Sequence, residues 1–387
     1  MQNRNNERLN EQVLNMLEQL ENIANKKGDI IRARSYRKAI ETIEVIIENI
    51  TDVNDFGKYP NIGKSMINKM KEYIKLGTID EIVAAKNDPL MWLTDIHGIG
   101  PKKAEVLVSK GISNINELRE RKDELLNNSQ KIGLKYFDDI SQRIPREEID
   151  RYIDLFDSII ESINTEIIYD ITGSYRRGAL YSGDIDILIT AYDGTYAYTN
   201  FIDALIEQGI MIEVLSKGNT KCMAIVKLND YSIARRIDIL FTPPKEYYYA
   251  LLYFTGSKAF NTTMRDYALK LGLTLNEHGL YEDKTNPIDH IMESEEDIFD
   301  YLYLNYKAPK ERKDGRDIET TIIYTEQVAN YNFIPVWHDG ELYCSMATNH
   351  TNQYIPRVKK TVEQPVEQPV VQFIPLNKTK KIKKTYK

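Results

Sequence analysis

Two aspartates stand one residue apart in an otherwise apolar run, GDIDILIT. In a β-strand, residues i and i+2 point to the same face, so Asp184 and Asp186 would converge on one site while Ile185 and Ile187 pack into the core behind them. Buried carboxylates are costly and repel each other, but divalent cations between their oxygens reduce both costs. Mg²⁺ binds through one or two protein carboxylates together with substrate phosphates and water. The pair therefore indicates a metal-dependent phosphoryl-transfer site.

A third carboxylate, Asp238, stands inside a second apolar run, ARRIDILF. Chemistry that uses two metal ions about 3.5–4 Å apart needs bridging carboxylates, and a third one is then expected from a neighbouring strand. The alternative is that these aspartates lie on exposed edge strands and pair with Arg235 or Arg236. The preceding segment GSYRRG favours the metal site, because a Gly-Ser turn offers N–H groups and a hydroxyl to a triphosphate and arginines offset its charge.

The apolar patterns around these residues predict the elements that hold them. Short β-branched runs alternate with helical stretches after about residue 150, which predicts a mixed α/β sheet with helices on it. Apolar residues recur at helical spacing over 9–24 and again over 36–50, and Asp29 is a candidate N-cap. The N-terminal region is therefore predicted to be helical. The apolar and aromatic run over 320–346 predicts a few strands.

Two segments resemble each other, YPNIGKSMINKM and IHGIGPKKAEVL. In each, a turn with glycine leads into an amphipathic helix, a helix-hairpin-helix pattern that presents backbone N–H groups to a phosphate. Gly98 and Gly100 permit the second turn and Pro101 suits the first helical position. Asn61 replaces the first glycine of the first turn. A glycine turn is also an ordinary connector, but two tandem copies followed by lysines favour phosphate contact.

Composition limits the classes of protein that fit. The 387 residues are 42% hydrophobic and 28% charged, with a net charge of −7, which predicts a globular protein of two or three domains. The sequence has neither an apolar run of about 18 residues nor a signal-peptide pattern, so an intracellular protein without membrane contact is expected. The two cysteines, Cys222 and Cys344, and the five histidines show no zinc-type cluster, so any metal is expected to have oxygen ligands.

Positive charge is concentrated in two segments. Residues 26–75 carry 11 Lys and Arg against 7 Asp and Glu, and residues 357–387 carry nine against two. The second segment also contains the repeat VEQPVEQP, a composition that predicts a disordered basic tail. These local charges are compatible with nucleic acid as a partner although the whole chain is acidic.

Taken together and in order, the motifs resemble family X DNA polymerases, within the wider nucleotidyltransferase superfamily. GSYRRGALYSGDIDIL resembles the family signature, and YYYALLYFTGSKAFNTTMRDYALKLGLTLNEHGLY resembles the nucleotide-selection segment. QKIGLKYFDDISQRIPREEID, LSKGNTKCMAIVKL and DIFDYLYLNYKAPKER are also similar. The resemblance covers about residues 5–317. It implies a multidomain α and α/β fold, in which N-terminal helical helix-hairpin-helix domains precede a nucleotidyltransferase-type mixed-sheet palm and an α+β nucleotide-selection subdomain.

The resemblance also implies domain boundaries. These are a helical lyase-like domain with the first helix-hairpin-helix over 1–86, a DNA-binding subdomain with the second over 87–147, a catalytic palm over 148–243, a nucleotide-selection subdomain over 244–317, an extension of unknown fold over 318–356 and the basic tail over 357–387.

Carried over by position, the resemblance assigns three sets of site residues. Two Mg²⁺ ions, for which Mn²⁺ can substitute, would be held by Asp184, Asp186 and Asp238, the last being closest to the primer 3′-hydroxyl. The incoming nucleotide would be bound by Arg143, Ser174, Arg177, Ser182, Gly183, Tyr253, Phe254, Gly256 and Asn261. DNA would be contacted by Arg32, Tyr36, Lys64, Gly98, Gly100, Lys102, Arg236 and Arg265, with a monovalent cation as a further candidate at the helix-hairpin-helix turns.

The same resemblance makes Lys69 a Schiff-base nucleophile that removes a 5′-deoxyribose phosphate. Such an amine must be partly neutral, and Lys64 and Lys71, which are close in sequence, would lower its pKa by crowding positive charge. Arg32 and Tyr36, four residues apart on one helix face, match the family's 5′-phosphate-binding lysine and its neighbouring tyrosine. The alternative is that Lys69 is a surface lysine that contacts phosphate only electrostatically.

Several positions depart from the family pattern. Ile31 replaces a histidine that stacks on the downstream base and Ser65 replaces a phosphate-contacting lysine, which, together with Asn61, puts the lyase activity in question. The departures that bear on closing and fidelity are Leu240 for an arginine that pairs with a catalytic aspartate, Lys258 for an aspartate and His278 for a tyrosine.

The implied function is template-directed filling of short gaps in base excision repair, with deoxynucleoside triphosphates and gapped or nicked DNA as substrates. The protein is expected to act as a monomer, in the nucleus or in a viral factory or virion. Three alternatives stay open: a nucleotidyltransferase acting on another 3′ end, a polymerase whose N-terminal domain only binds 5′-phosphate, and a catalytically silent DNA-binding scaffold. The intact aspartate triad disfavours the last.

Overall fold

The computed structural model describes residues 8–46, 48–163, 167–282 and 285–321, and the backbone of three short strands beyond them. The chain divides into two compact units, 1–325 and 326–387. Residues 357–387, predicted to be a disordered basic tail, lie outside the described residues. No helix in the described part of the chain has both the length and the apolar character that crossing a bilayer requires.

Within the described residues, the N-terminal bundle contains four α-helices and one 3-10 helix around an apolar core. The elements are α1 (Leu9–Lys26), α2 (Ile30–Glu44), the 3-10 helix Val53–Lys58, α3 (Lys64–Leu76) and α4 (Asp80–Ala85). Asp29 accepts a hydrogen bond of 3.0 Å from the Arg32 N–H and caps α2, as predicted. The helical spacing over 36–50 predicts a longer α2 than the structure has, because the helix ends at Glu44. Beyond that end, the Ile50 N–H donates to Asn10 Oδ1 at 3.1 Å.

A second helical group follows and has a core of its own. Its helices are α5 (Pro89–Leu93), α6 (Pro101–Ser109), α7 (Ile115–Glu120), α8 (Lys122–Leu125), α9 (Asn128–Lys135) and α10 (Phe137–Ile140). A side chain at Gly133 would place its Cβ 2.3 Å from the His97 carbonyl oxygen, so α9 packs directly against the turn before α6. The prediction of an all-helical N-terminal region is confirmed within the described residues.

A five-stranded mixed sheet forms the centre of the next region, in the order β2-β4-β7-β6-β5. Its strands are β2 (Ile168–Ile171), β4 (Ile185–Thr190), β5 (Met211–Lys217), β6 (Lys221–Val226) and β7 (Arg235–Phe241), with the short pair β1 (Ile144–Pro145) and β3 (Tyr181–Ser182) beside it. Strands β4 and β7 run parallel and the other neighbours antiparallel. Helices α11 (Arg146–Ser162) and α13 (Thr195–Glu207) cover one face, and α12 (Gly173–Arg176) follows β2.

The remaining elements form an α+β group and a separate small sheet. The α+β group contains α14 (Tyr247–Thr255), α15 (Lys258–Lys270), β8 (Thr274–Asn276), β9 (Gly279–Tyr281) and α16 (Glu295–Tyr301) around one apolar core. The second unit contains an antiparallel sheet of β10 (Phe333–His338), β11 (Glu341–Met346) and β12 (Tyr354–Ile355). The predicted fold class, helical domains before a mixed-sheet palm and an α+β subdomain, is confirmed.

A buried ion pair joins α11 to β7. The Arg235 guanidinium donates from Nε and Nη2 to the two Glu148 carboxylate oxygens, both at 2.7 Å, and from Nη1 to the Gln142 carbonyl at 3.2 Å. Only 3% of Arg235 is exposed. This pair fixes the start of β7, the strand that carries Asp238.

We expect Glu148→Leu to lower the free energy of unfolding by about 3–5 kcal/mol, because the Arg235 charge would remain buried without its partner. Urea unfolding of the full chain measures this change. The matched control is Asp203→Leu, which removes the exposed partner of Lys217 and is expected to cost less than about 1 kcal/mol. Equal losses in the two variants would contradict the assignment of a stabilising role to the buried pair.

Candidate active site and DNA contacts

The three aspartates lie on the two parallel strands of the sheet. Asp186 on β4 is in register with Asp238 on β7, and Asp184 directly precedes β4. The isoleucines on either side, Ile185 and Ile237 among them, are fully buried in the core. Because side chains alternate along a strand, the aspartates share the opposite face, as their spacing predicts.

Basic side chains lie among these carboxylates. Arg236 Nη2 donates to Asp184 Oδ2, and Arg236 Nε lies 3.7 Å from Asp238 Oδ1. Lys221 Nζ lies 3.7 Å from the other Asp238 oxygen. The alternative, in which an arginine pairs with an aspartate of this group, therefore applies to Arg236 with Asp184. It does not apply to Arg235, which binds Glu148. In this arrangement, the described residues include no group of three or more Asp, Glu, His or Cys side chains placed to hold a metal ion.

The electrostatics of the aspartates nevertheless suit a cation. Burial, followed by the charges of Asp184 and Asp238, raises the pKa of Asp186 to about 7. Burial also raises the pKa of Asp238, whose Oδ1 is buried and has no hydrogen-bond partner among the described residues. Mg²⁺ and Mn²⁺ prefer carboxylate oxygens, and a bound cation would both offset the repulsion and supply the missing partner. The donor set therefore fits divalent metal ions.

The turn after β2 approaches the same carboxylates. Gly173 has φ 58°, and a Cβ there would lie 2.5 Å from Asp186 Oδ2, so only glycine fits. Ser174 Oγ donates to Ser182 Oγ at 2.9 Å across the turn. Arg143 Nη2 donates to the Tyr181 carbonyl at 2.9 Å, and its Nη1 faces Gly183. These hydroxyl, backbone and guanidinium groups therefore surround one side of the aspartates.

Arg177 connects this turn with the end of α14. Its Nη1 donates to the Thr255 carbonyl at 2.6 Å and lies close to Gly256, which has φ 70° and a cis bond to Ser257. Asn261 Nδ2 donates to the Tyr253 carbonyl at 2.6 Å. The candidate sugar- and base-contacting residues, Tyr253, Phe254, Gly256, Asn261 and Arg265, thus lie together, with the Arg265 guanidinium 6.0 Å from the Tyr253 ring and the Tyr253 and Phe254 rings edge to face.

The resemblance assigned Arg177, but not Arg176, to the triphosphate, and the Arg176 side chain binds two residues of the α+β group. Arg176 donates to Thr255 Oγ1 at 2.8 Å and to Glu295 Oε2 at 2.7 Å. The other Glu295 oxygen accepts from Arg312 Nη1 at 2.6 Å, and both Glu295 and Arg312 are buried. This ionic network, which the sequence motifs did not reveal, joins the glycine turn to α16.

The two predicted glycine turns have matching backbone conformations. Asn61 and Gly98 both have positive φ, 63° and 82°, and two residues later Gly63 and Gly100 are extended N-caps of α3 and α6. Asparagine tolerates the left-handed region better than most residues, so its place in the first turn does not disrupt the hairpin. The first N–H groups of each helix lack intrahelical acceptors, and the exposed Lys64 and Lys102 stand beside them.

The side chains predicted to form a lyase site also lie together. Lys69 Nζ donates to Tyr36 Oη at 2.8 Å and forms a hydrogen-bonded ion pair with Glu81 Oε2. Arg32 Nη1 lies 3.8 Å from the other Glu81 oxygen. Glu81 was not identified from the sequence, where no local motif marks it.

The expected lowering of the Lys69 pKa is wrong for this arrangement. Burial by itself lowers the pKa of the Lys69 ammonium, but the hydrogen bonds to Glu81 and Tyr36 outweigh burial, and the pKa is raised. The neighbours that determine its charge are thus Glu81 and Tyr36, rather than the lysines next to it in sequence.

Two of the departures from the family pattern have ionic partners, and a third is exposed. Lys258 Nζ lies 4.0 Å from Glu21 of α1, and His278 Nδ1 lies 2.7 Å from Glu246 Oε2. Ile31 is 83% exposed at the start of α2, beside Arg32. These positions therefore differ from the family pattern in charge and polarity, and Lys258 links the α+β group to the N-terminal bundle.

Four protein-family models match successive parts of the chain. They describe a helix-hairpin-helix domain over 8–79, the fingers domain of DNA polymerase lambda over 92–141, the DNA polymerase beta palm over 143–244 and the DNA polymerase beta thumb over 250–313.

Known relatives match over most of the same region. The chain is 30% identical over 322 residues to DNA polymerase lambda of Rattus norvegicus, 28% over 335 residues to DNA polymerase lambda of Arabidopsis thaliana, and 26% over 334 residues to the DNA polymerase type-X family protein pol4 of Schizosaccharomyces pombe. These matches cover 77%, 79% and 79% of this chain, and 56%, 62% and 65% of the respective relatives. The chain thus spans less than two thirds of the length of each relative.

Proposed function

Because this chain belongs to family X of the DNA polymerases, we propose that it is a template-directed DNA polymerase that fills short gaps in base excision repair. The observation that carries the proposal is the placement of Asp184, Asp186 and Asp238 on one face of two parallel strands, beside the Gly173 turn. A catalytically silent scaffold would not need to keep three carboxylates together at the cost of their repulsion.

The proposed mechanism divides the reaction among groups of this chain. Asp184, Asp186 and Asp238 would hold two Mg²⁺ ions, or Mn²⁺ in their place, which supply charge stabilisation for phosphoryl transfer. Arg236 would then leave Asp184 for a phosphate of the DNA. Asp238 would orient the primer 3′-hydroxyl.

The nucleotide would be held by the turn and by α14 and α15. Its triphosphate would be bound by Arg143, Ser174, Arg177, Ser182 and Gly183. The backbone at Gly256, with Tyr253 and Phe254, would crowd a 2′-hydroxyl, while Asn261 and Arg265 would reach the minor-groove edges of the nascent pair and template. Deoxynucleoside triphosphates are therefore the proposed substrates.

The two hairpin turns would hold DNA on both sides of a gap, with Gly98, Gly100, Lys64 and Lys102 at the phosphates. A monovalent cation is a further candidate ligand there. The proposed domain boundaries remain those stated from the sequence. We place the protein in the nucleus, or in a viral factory or virion if its source is a large DNA virus, acting as a monomer on gapped or nicked DNA.

Primer extension on a one-nucleotide gap tests this proposal. A 5′-phosphate on the downstream strand is expected to raise kcat/KM about 10–100-fold, because a charge-assisted hydrogen bond contributes about 1.5–3 kcal/mol. In the Arg32→Ala variant, this advantage is expected to fall. Equal rates with and without the phosphate would contradict the proposal that the N-terminal domain binds the 5′-phosphate. Absence of templated insertion, together with extension of RNA or unpaired 3′ ends, would favour a different nucleotidyltransferase.

We also propose that the N-terminal domain is a 5′-deoxyribose phosphate lyase with Lys69 as its nucleophile. The cluster of Lys69 with Tyr36 and Arg32 supports this activity. The second candidate is a domain that only binds 5′-phosphate, which the Lys69–Glu81 ion pair favours because it keeps the amine protonated.

A further inference from the structure

Glu81 reaches the lyase site from a helix of its own. It lies in the first turn of α4, where the buried Ile79 and Ile82 on either side fix the helix to the bundle core. Lys69 comes from α3, where the buried Met70 fixes the neighbouring position. Both side chains are thus held by packed backbone, although the ion pair itself is only partly buried, with 26% of the Lys69 side chain and 29% of the Glu81 side chain exposed.

The hydrogen bonds at Lys69 leave room for a substrate on one side. An ammonium has three N–H donors, of which one is directed to Glu81 and one to Tyr36 Oη. The third is left for the exposed side, from which an aldehyde could approach. The second Glu81 oxygen faces the Arg32 guanidinium at 3.8 Å, so a sugar phosphate drawn to Arg32 would lie beside the same carboxylate.

We propose that Glu81 is the proton acceptor of this site, serving first the Lys69 amine and then the bound sugar. The inference rests on the proposed lyase function, since a lysine that only binds phosphate needs no base. It is also compatible with the raised pKa of Lys69: the ion pair keeps the ammonium protonated at rest, and the same carboxylate is the nearest group that can take the proton.

The proposed reaction passes through an imine between Lys69 and the sugar. Glu81 accepts a proton from Lys69, and the free amine adds to C1′ of the ring-opened sugar aldehyde, forming a C–N bond. The Glu81 carboxyl returns that proton to the resulting hydroxyl, which leaves as water, so that a protonated imine remains and the Glu81 carboxylate is restored. The Glu81 carboxylate then removes a C2′ proton, and the C–H electrons move into the imine to form an enamine. A C2′=C3′ double bond forms as the imine is restored, the C3′–O bond breaks, and its electron pair departs with the phosphate of the downstream strand. Water finally hydrolyses the imine and releases the unsaturated sugar phosphate.

Glu81→Gln tests the proposal because it keeps a hydrogen-bond acceptor beside Lys69 and removes the base. We expect borohydride to trap an adduct between this variant and incised abasic DNA more slowly than with the wild type, because Lys69 loses its proton acceptor, while single-turnover release of the sugar phosphate falls about 10²–10⁴-fold, the usual contribution of a general base. The matched control, Asp80→Asn, removes the same charge from the neighbouring exposed residue of α4 and is expected to leave release unchanged. Thermal unfolding of each variant checks that it is folded.

Chemical rescue separates a base from a structural contact. In Glu81→Ala, added formate is expected to restore part of the release rate, in proportion to formate concentration. If Glu81→Gln releases the sugar phosphate at the wild-type rate, or if Asp80→Asn lowers the release rate as much as Glu81→Gln does, the proposed role of Glu81 is overturned. The lyase function would still stand in either case. If the wild type forms no adduct, or Lys69→Ala traps as much as the wild type, the lyase function itself fails at this residue and the role of Glu81 fails with it.

Discussion

Replacing Asp238 by alanine is expected to abolish nucleotide insertion, with a loss of at least about 10³-fold in single-turnover rate. The side chain is one of three carboxylates on the shared face of β4 and β7, and its buried Oδ1 has no hydrogen-bond partner among the described residues. Removing it would take away a metal ligand and the group that orients the 3′-hydroxyl, and electrostatic stabilisation of this kind is usually the largest single contribution to catalysis.

The affinity of Asp238→Ala for gapped DNA is measured alongside its insertion rate. This affinity is expected to change little, because the hairpin turns at Gly63 and Gly100 do not involve Asp238. The matched control is Asp203→Ala, a change at an exposed aspartate of α13 that pairs with Lys217. Activity of Asp238→Ala within about tenfold of wild type would rule out the proposed role.

Replacing Lys69 by alanine is expected to remove most of the borohydride-trapped adduct on incised abasic DNA, because no other amine is held by Tyr36 and Glu81 in the described structure. Insertion on an open primer–template, which lacks a downstream strand, is expected to persist. The trapped product is measured by denaturing electrophoresis.

The control for this variant is Lys71→Ala, which removes an exposed lysine two residues further along α3. It is expected to trap like the wild type, apart from a small loss of DNA affinity. If Lys71→Ala lost the adduct and Lys69→Ala kept it, the nucleophile would be misassigned. If neither variant differed from a wild type that traps, an amine elsewhere in the chain would be responsible.

The aspartate triad was predictable because its signal is local. A period of two in an apolar run determines which side chains share a face, and Ile185 and Ile187 are buried as that pattern requires. The register of Asp186 with Asp238 was not determined by the pattern, since strand pairing depends on contacts between distant segments. The same period of two places Arg236, two residues before Asp238, on the face of the carboxylates, and places Arg235 on the buried face.

The direction of the Lys69 pKa shift could not be predicted from the sequence for a geometric reason. Side chains three or four positions apart lie on one helix face, whereas Lys64 and Lys71 are five residues before and two residues after Lys69. Neither spacing brings the ammonium groups together. The charge that matters comes from Glu81 on the next helix, and the packing of both α3 and α4 on α1 brings it there.

The Arg176–Glu295–Arg312 network was hidden for a related reason. Arg176 and Glu295 are 119 residues apart, and each stands in a segment whose local pattern is explained without the other. The arginine pair after Gly173 suggested positive charge that offsets a triphosphate, but a buried carboxylate partner holds Arg176. Motif reasoning identifies the type of site, and the three-dimensional packing decides which of two adjacent like residues serves it.

The parallel pairing of β4 with β7 has a consequence for the order in which the molecule forms. The N-terminal bundle is built mostly from helices adjacent in sequence, and such local contacts form quickly during folding. The aspartates instead come together only after segments 52 residues apart pair in parallel, as the contact of Asp184 with Arg236 illustrates. Since chains also fold from the N-terminus during synthesis, an emerging chain is expected to hold DNA before it can extend a primer.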